Sequence, residues 1–128
     1  MSFDWSEYLR LAQELVGQDV RPAGQEARLR AAISRAYYAA FCEARNCLLA
    51  EGRHLSTGHD VHRAVREEFT KSSDKMRRQI SQNLDRLRND RNKADYDDRV
   101  RRLADTAVAD IELSRSVLEG LARLRQVE

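Results

Sequence analysis

The chain has 128 residues, enough for one domain with its own core and no need of disulfides or a structural metal. Charged residues make up 34% and hydrophobic residues 41%, with one proline and five glycines, which excludes a linker-rich or disordered chain. A net charge of +2 is too balanced to mark a nucleic-acid binder by itself.

Ala, Leu, Arg and Glu dominate, β-branched residues are sparse and no stretch alternates with period two, so the chain is expected to be all-α. No signal peptide or lipidation motif is visible, and no apolar run approaches the roughly 18 residues of a membrane span. Cys42 and Cys47 stand five apart on a predicted helix, on different faces, and are poorly placed to bridge each other. The expectation is a cytoplasmic protein with reduced thiols and no membrane partner.

The first helix is predicted from about Asp4 to Gly17, with Trp5, Tyr8, Leu9, Ala12, Leu15 and Val16 as its apolar stripe. Gln18 to Gly24 carries turn residues and reads as a loop. A long second helix follows from about Gln25 to Glu51, in which Leu29, Ile33, Ala36, Tyr37, Ala40, Phe41, Ala44 and Leu48 recur at three- and four-residue steps. Gly52 suits its C-terminal cap, and Ser56 or Thr57 could cap a third helix containing Val61, Val65 and Phe69. Lys71-Ser72-Ser73 breaks the pattern, with Ser72 or Ser73 as cap of a fourth helix whose stripe is Met76, Ile80, Leu84 and Leu87. Asp97 or Asp98 would cap a fifth helix with the stripe Val100, Leu103, Ala107, Ile111, Ser114, Leu118 and Leu121. Residues 1–128 are thus expected to form one antiparallel up-and-down bundle of about five helices.

The polar chemistry concentrates in Leu87 to Asp97, at the end of the fourth helix. Arg91 offers a planar fork for a phosphate, Asn92 can orient a hydroxyl, and Asp95 and Tyr96 fall one helical turn beyond Arg91. The same residues also read as an ordinary intrahelical Arg91–Asp95 ion pair with Tyr96 packing its ring. From Ser73 to Tyr96, seven basic residues (Lys75, Arg77, Arg78, Arg86, Arg88, Arg91, Lys93) face four acidic ones, a nucleic-acid footprint or a solvated surface. That helix interleaves no aromatics as a stacking platform. His54, His59 and His62 lack a cysteine nearby and enough further ligands for zinc, so no metal and no cofactor are expected. A histidine from this region could still serve as acid or base elsewhere in the fold.

Two ordered stretches carry a resemblance. Ser34-Arg35-Ala36-Tyr37-Tyr38-Ala39-Ala40-Phe41, with Ala44-Arg45 and Leu48-Leu49, resembles the second helix of the HEPN family, the higher-eukaryote and prokaryote nucleotide-binding domain. Arg91-Asn92-Lys93-Ala94-Asp95-Tyr96 resembles that family's later motif. The resemblance implies an antiparallel helical bundle that forms homodimers and binds RNA or nucleotide. It implies a metal-independent ribonuclease of toxin–antitoxin or phage-defence type, or a non-catalytic module that binds nucleotide or RNA or docks a nucleotidyltransferase antitoxin. On it, Arg91, Asn92, Asp95 and Tyr96 form the catalytic group, and Arg88, Lys93 and Arg86 contact nucleic acid. Two copies of the motif would meet across the dimer.

In the ribonucleases of this family a histidine follows the arginine by about five residues; that position falls here on Tyr96, or on Asp95 with a shift of one. Imidazole titrates near neutrality and serves as base and acid alike, whereas a phenol can donate a proton but is a poor base. The expectation is therefore a ribonuclease with an altered acid–base group.

Overall fold

The computed structural model describes residues 3–17, 22–55 and 58–126, apart from the side chains of Pro22, Ala23 and His59. Its helices are α1 (Ser6–Gly17), α2 (Pro22–Ala50), α3 (Val61–Thr70), α4 (Lys75–Tyr96) and α5 (Leu103–Gln126), with a 3-10 turn at Gly58–Asp60. Among the described residues there is no strand, and no helix is long and apolar enough to cross a membrane.

α2 is the central element and touches each of the other four helices. Its small residues explain why: Ala32, Ala36, Ala39, Ala40 and Ala44 are fully buried, and their short side chains let neighbouring backbones come close. Tyr37, Phe41 and Leu48 then fill the main core with Val65 and Phe69 of α3, Ile80, Leu84 and Leu87 of α4, and Val117 and Leu121 of α5. On α5 a buried hydrogen bond from Ser114 Oγ to the Ala36 carbonyl (2.7 Å) satisfies the one hydroxyl in the stripe.

Cross-links between the helices fix their directions. Arg30 meets the end of α4 and Glu51 meets Arg77 near its start, so α2 and α4 are antiparallel. Arg66–Asp85 and Thr70–Ser81 make α3 and α4 antiparallel as well. The exception to simple alternation is α3, which runs alongside α2 in the same sense: Tyr37 meets His62, and Arg53 meets Glu68. The segment after α2 must therefore carry the chain back up the bundle before α3 begins. Gly52 (φ 84°) starts that return, with Arg53 N–H bonded to the Leu48 carbonyl and Gly52 N–H to Leu49, the paired bonds of a glycine-capped helix end.

Several boundaries differ from the sequence expectation. α2 starts at Pro22 rather than Gln25, because proline's fixed φ and missing N–H suit a first helical position. The cap of α4 is neither Ser72 nor Ser73 but Asp74, whose carboxylate accepts the Met76 N–H; Ser72 Oγ in turn accepts Asp74 N–H. Neither Asp97 nor Asp98 caps α5. Asp97 closes α4, and the carbonyls of Ala94, Asp97 and Asp98 all accept from the Arg30 guanidinium. α4 ends where Asp97 turns extended (ψ 134°), and α5 starts at Leu103, after Arg102 in the left-handed region (φ 55°). The expected caps Ser56 and Thr57 lie outside the described residues. Both cysteines are free and buried.

Candidate functional site

The end of α4 presents two faces. Toward α5, Asp110 is fully buried with no donor to either carboxylate oxygen. Burial raises its pKa well above the usual range, and the Asp90 carboxyl beside it, by hydrogen bond and repulsion, raises it further. A proton kept on Asp110 resolves the contact, since the protonated carboxyl donates to Asp90.

Toward α1 and α2 lies the other face, which holds Arg91. Its Nη1 donates to Asn92 Oδ1 at 3.0 Å, and Nε stands 2.9 Å from Asp95 Oδ2. The latter is an ion pair without hydrogen-bond alignment, so Nε lacks a directed partner. The guanidinium lies between two rings, 5.2 Å from the centre of Tyr38 and 5.7 Å from that of Tyr96. The ordinary intrahelical pair is thus present, and an aromatic setting accompanies it.

Arg91 and Asp95 line a groove of about 420 Å³ whose other walls come from α2, through Arg35, Tyr38, Phe41 and Arg45, and from the N-terminal segment, through Trp5 and Tyr8. The α2 residues share one face because they recur at three- and four-residue steps. Arg35 lies 4.7 Å from the centre of the Tyr8 ring and 5.3 Å from that of Tyr38, while Arg45 lies 5.6 Å from that of Trp5. Neither forms an ion pair among the described residues; Arg35 Nη2 donates to Ser34 Oγ and Arg45 Nε to Asn46 Oδ1. The lining holds three guanidiniums and one carboxylate, Asp95, beside aromatic rings. Such a lining suits an anionic ligand with planar groups, such as a nucleotide. Cys42 also lines it, but burial pushes its thiol pKa up against the opposing Arg45, which leaves it unsuited as a nucleophile.

Tyr96 is 73% exposed and opens onto a neighbouring hollow of about 370 Å³, lined by Glu26, Asp95, Asp97 and Asp98 beside Arg30. That hollow is acidic, unlike the groove. Arg88 lies close enough to bear electrostatically on Tyr37 and His62. Lys93 is exposed, and Arg86 pairs at 3.9 Å with Asp90 on the Asp110 side, away from the groove. The structure therefore brings Arg91, Asn92 and Asp95 together, sets Tyr96 at their rim, and leaves Arg86 apart.

Sequence reasoning missed one contributor: the rings that α4 does not interleave among its arginines come from α2 and the N-terminal segment, and Trp5 and Tyr8 gave only an apolar-stripe signal. His62, one of the histidines weighed in the sequence, has Nδ1 2.5 Å from Tyr37 Oη and its ring stacked on Phe41 at 4.2 Å, and is not among the residues that line the groove. No metal-type cluster of three His, Cys, Asp or Glu side chains occurs among the described residues.

The profile of the HEPN domain matches residues 18–124, which span α2 to α5 and the whole Arg91 segment. No curated protein and no solved structure matches the chain at a significant level.

Proposed function

This chain belongs to the HEPN domain family, and from that premise we propose that it is a metal-independent ribonuclease of toxin–antitoxin or phage-defence type. RNA lies along the groove, and the phosphate to be cleaved sits at Arg91. The observation that carries this reading is the lining itself, with three arginines against one carboxylate and rings for bases to pack on.

In this reading Arg91 grips the phosphate, with Arg88 in support, and Asn92 holds the Arg91 fork. Asp95 orients the attacking 2′-hydroxyl, and Tyr96 donates a proton toward the leaving oxygen. Lys93 meets the strand further out, whereas Arg86, paired with Asp90 on the opposite side of α4, takes no part. The 2′-oxygen attacks phosphorus and the bond to the 5′-oxygen breaks, which leaves a cyclic phosphate and a 5′-hydroxyl. A homodimer would juxtapose two such motifs.

A second reading, a nucleotide- or RNA-binding module that also docks a nucleotidyltransferase-type partner, is favoured by one observation. Tyr96 opens onto the acidic hollow, which repels phosphate.

Incubation of the protein with total RNA in excess chelator, beside Arg91→Ala, separates the two. Cleavage with cyclic-phosphate ends, absent in the variant, is the expected result. Binding without cleavage in the parent, or cleavage that survives in the variant, overturns the ribonuclease reading.

A further inference from the structure

From Tyr96 to Tyr8, rings and guanidiniums alternate across three helices. The Arg91 guanidinium lies 5.7 Å from the centre of the Tyr96 ring and 5.2 Å from that of Tyr38. Arg35 lies 5.3 Å from the centre of the same Tyr38 ring and 4.7 Å from that of Tyr8. α4 supplies Tyr96 and Arg91, α2 supplies Tyr38 and Arg35, and α1 supplies Tyr8. Tyr38 therefore stands between two cations that are brought together from different helices.

We infer that Arg35 holds the phosphate next to the one that Arg91 grips, so that the groove takes two successive phosphates of a single strand. The nucleoside that joins them packs on Tyr38. This placement rests on the reading above, in which a strand lies along the groove with a phosphate at Arg91.

The charge of Arg35 is free. Among the described residues it forms no ion pair and one hydrogen bond, from Nη2 to Ser34 Oγ at 3.2 Å. Its Nε and Nη1 have no acceptor, and neither is among the sealed unpartnered atoms, so both reach solvent. The one carboxylate of the lining, Asp95, stands 2.9 Å from Arg91. Arginines that tie the helices together behave otherwise: Arg66 reaches Asp85, Arg77 reaches Glu51, and Arg30 directs its donors to the carbonyls at the end of α4.

The fork is also held in place. Tyr8 and Tyr38 take the guanidinium on their rings and the buried Ser34 accepts a single N–H, which orders the side chain while most of its donors stay available. A planar fork of this kind matches a phosphate through two hydrogen bonds. Spacing singles out Arg35 as the neighbour of Arg91. Both lie within 5.3 Å of one ring centre, whereas Arg45 contacts Trp5 and stands ten residues beyond Arg35 on α2, about 15 Å of helix. The half-buried Tyr38 ring between the two forks offers the intervening base a surface to pack on.

The test uses a trinucleotide of 2′-O-methyladenosine without terminal phosphates, which carries two phosphates and cannot be cleaved. In two further versions, one or the other phosphate is a neutral methylphosphonate. In the parent, calorimetry should show each replacement weakening binding about ten- to a hundredfold, since each removes a charge-assisted contact. Arg35→Ala should weaken binding of the unmodified trinucleotide about as much, and at least one replacement should become silent in it. Its log–log salt slope should be shallower by about 0.7, the share of one phosphate of a single strand. If both replacements cost Arg35→Ala what they cost the parent, Arg35 touches neither phosphate and the inference is overturned, while Arg91 keeps its place. An Arg35 that only supported the fold would give that result, because it would lower affinity for all three oligonucleotides alike. The parent by itself decides should Arg35→Ala not fold: a replacement that costs the parent nothing leaves one held phosphate and overturns the inference. So does a parent that binds none of the three. Cleavage is read apart from this. A parent with the expected binding pattern that never cleaves total RNA overturns the ribonuclease and leaves Arg35 in its role.

Discussion

Asp90 and Arg91 are neighbours in sequence, yet the two faces of α4 they occupy behave in opposite ways. On one face Asp90 meets Asp110 inside the bundle, where two carboxyls share a buried space and one keeps its proton. On the other face Arg91 meets a single carboxylate at the edge of an open groove, with two more guanidiniums near it and none of the three fully neutralised. The first arrangement serves stability under one protonation state. The second leaves positive charge at an open surface, where the proposed function places its ligand. A helix turns by about 100° per residue, so one step of sequence suffices to separate a buried carboxyl pair from an open groove.

The sharpest way to break this contrast is to remove Arg91. Arg91→Ala should weaken RNA binding about ten- to a hundredfold and flatten its salt dependence, because a phosphate contact and its released counterions are lost. Its urea midpoint should correspond to about 1 kcal/mol of change, because the pair with Asp95 is intrahelical and only part-buried. If RNA affinity holds and stability collapses, the groove is a structural feature and the contrast fails. The converse variant, Asp110→Ala, should cost about 1–3 kcal/mol, since it opens a small cavity and leaves Asp90 without its donor. RNA affinity per folded molecule should be unchanged.

Asp110 also makes a pH prediction. Its pKa in the folded state is raised above the unfolded value of about 4, so the folded state binds the extra proton between the two. Its contribution is complete below the unfolded pKa and is lost as pH rises toward the folded one. The parent should therefore lose stability relative to Asp110→Asn by up to about 1.4 kcal/mol per pH unit between about pH 7 and pH 8, above the range in which His62 titrates. Urea titrations of both proteins at the two pH values read this directly, and parallel curves would remove the proton from the pair. The smallest effect concerns the frame that both faces share. Arg30→Ala frees the carbonyls of Ala94, Asp97 and Asp98 and should cost about 1 kcal/mol, with faster amide exchange confined to the end of α4.

Ion pairs elsewhere refine the same lesson. Arg77 and Glu51 pair through two hydrogen bonds where both are largely buried, at 14% and 12% side-chain exposure, and Arg53 adds a third bond to that carboxylate. Burial alone would raise the Glu51 pKa, but the hydrogen bonds and charges of Arg77 and Arg53 outweigh it and lower it. Arg77 and Arg91 sit on the same helix and looked alike as members of one basic run. What distinguishes them is whether a carboxylate from elsewhere in the fold reaches them through directed hydrogen bonds.

Much of the fold was legible because it follows from local periodicity. The stripes of Ile80, Leu84 and Leu87 and of Ala107, Ile111, Ser114 and Leu121 are buried as the three- and four-residue spacing requires. The cap at Gly52 was also legible, since the left-handed conformation there favours a residue without a Cβ. Asp110 and Val117 escaped notice although they share the buried face of α5, because a carboxylate at a core position contradicts binary patterning until its partner is known.

Of the candidate site, the sequence by itself determined the Arg91, Asn92 and Asp95 cluster, because residues one turn apart on a helix must be neighbours. It also determined the all-α bundle, since the hydrophobic spacing allows no other way to bury these residues. Tertiary structure alone decided which arginines stay uncompensated, which rings wall the groove, and that His62 comes to lie beside the Tyr38 ring. Those depend on where α1 and α3 pack against α2, contacts between residues far apart in the chain that no local spacing encodes.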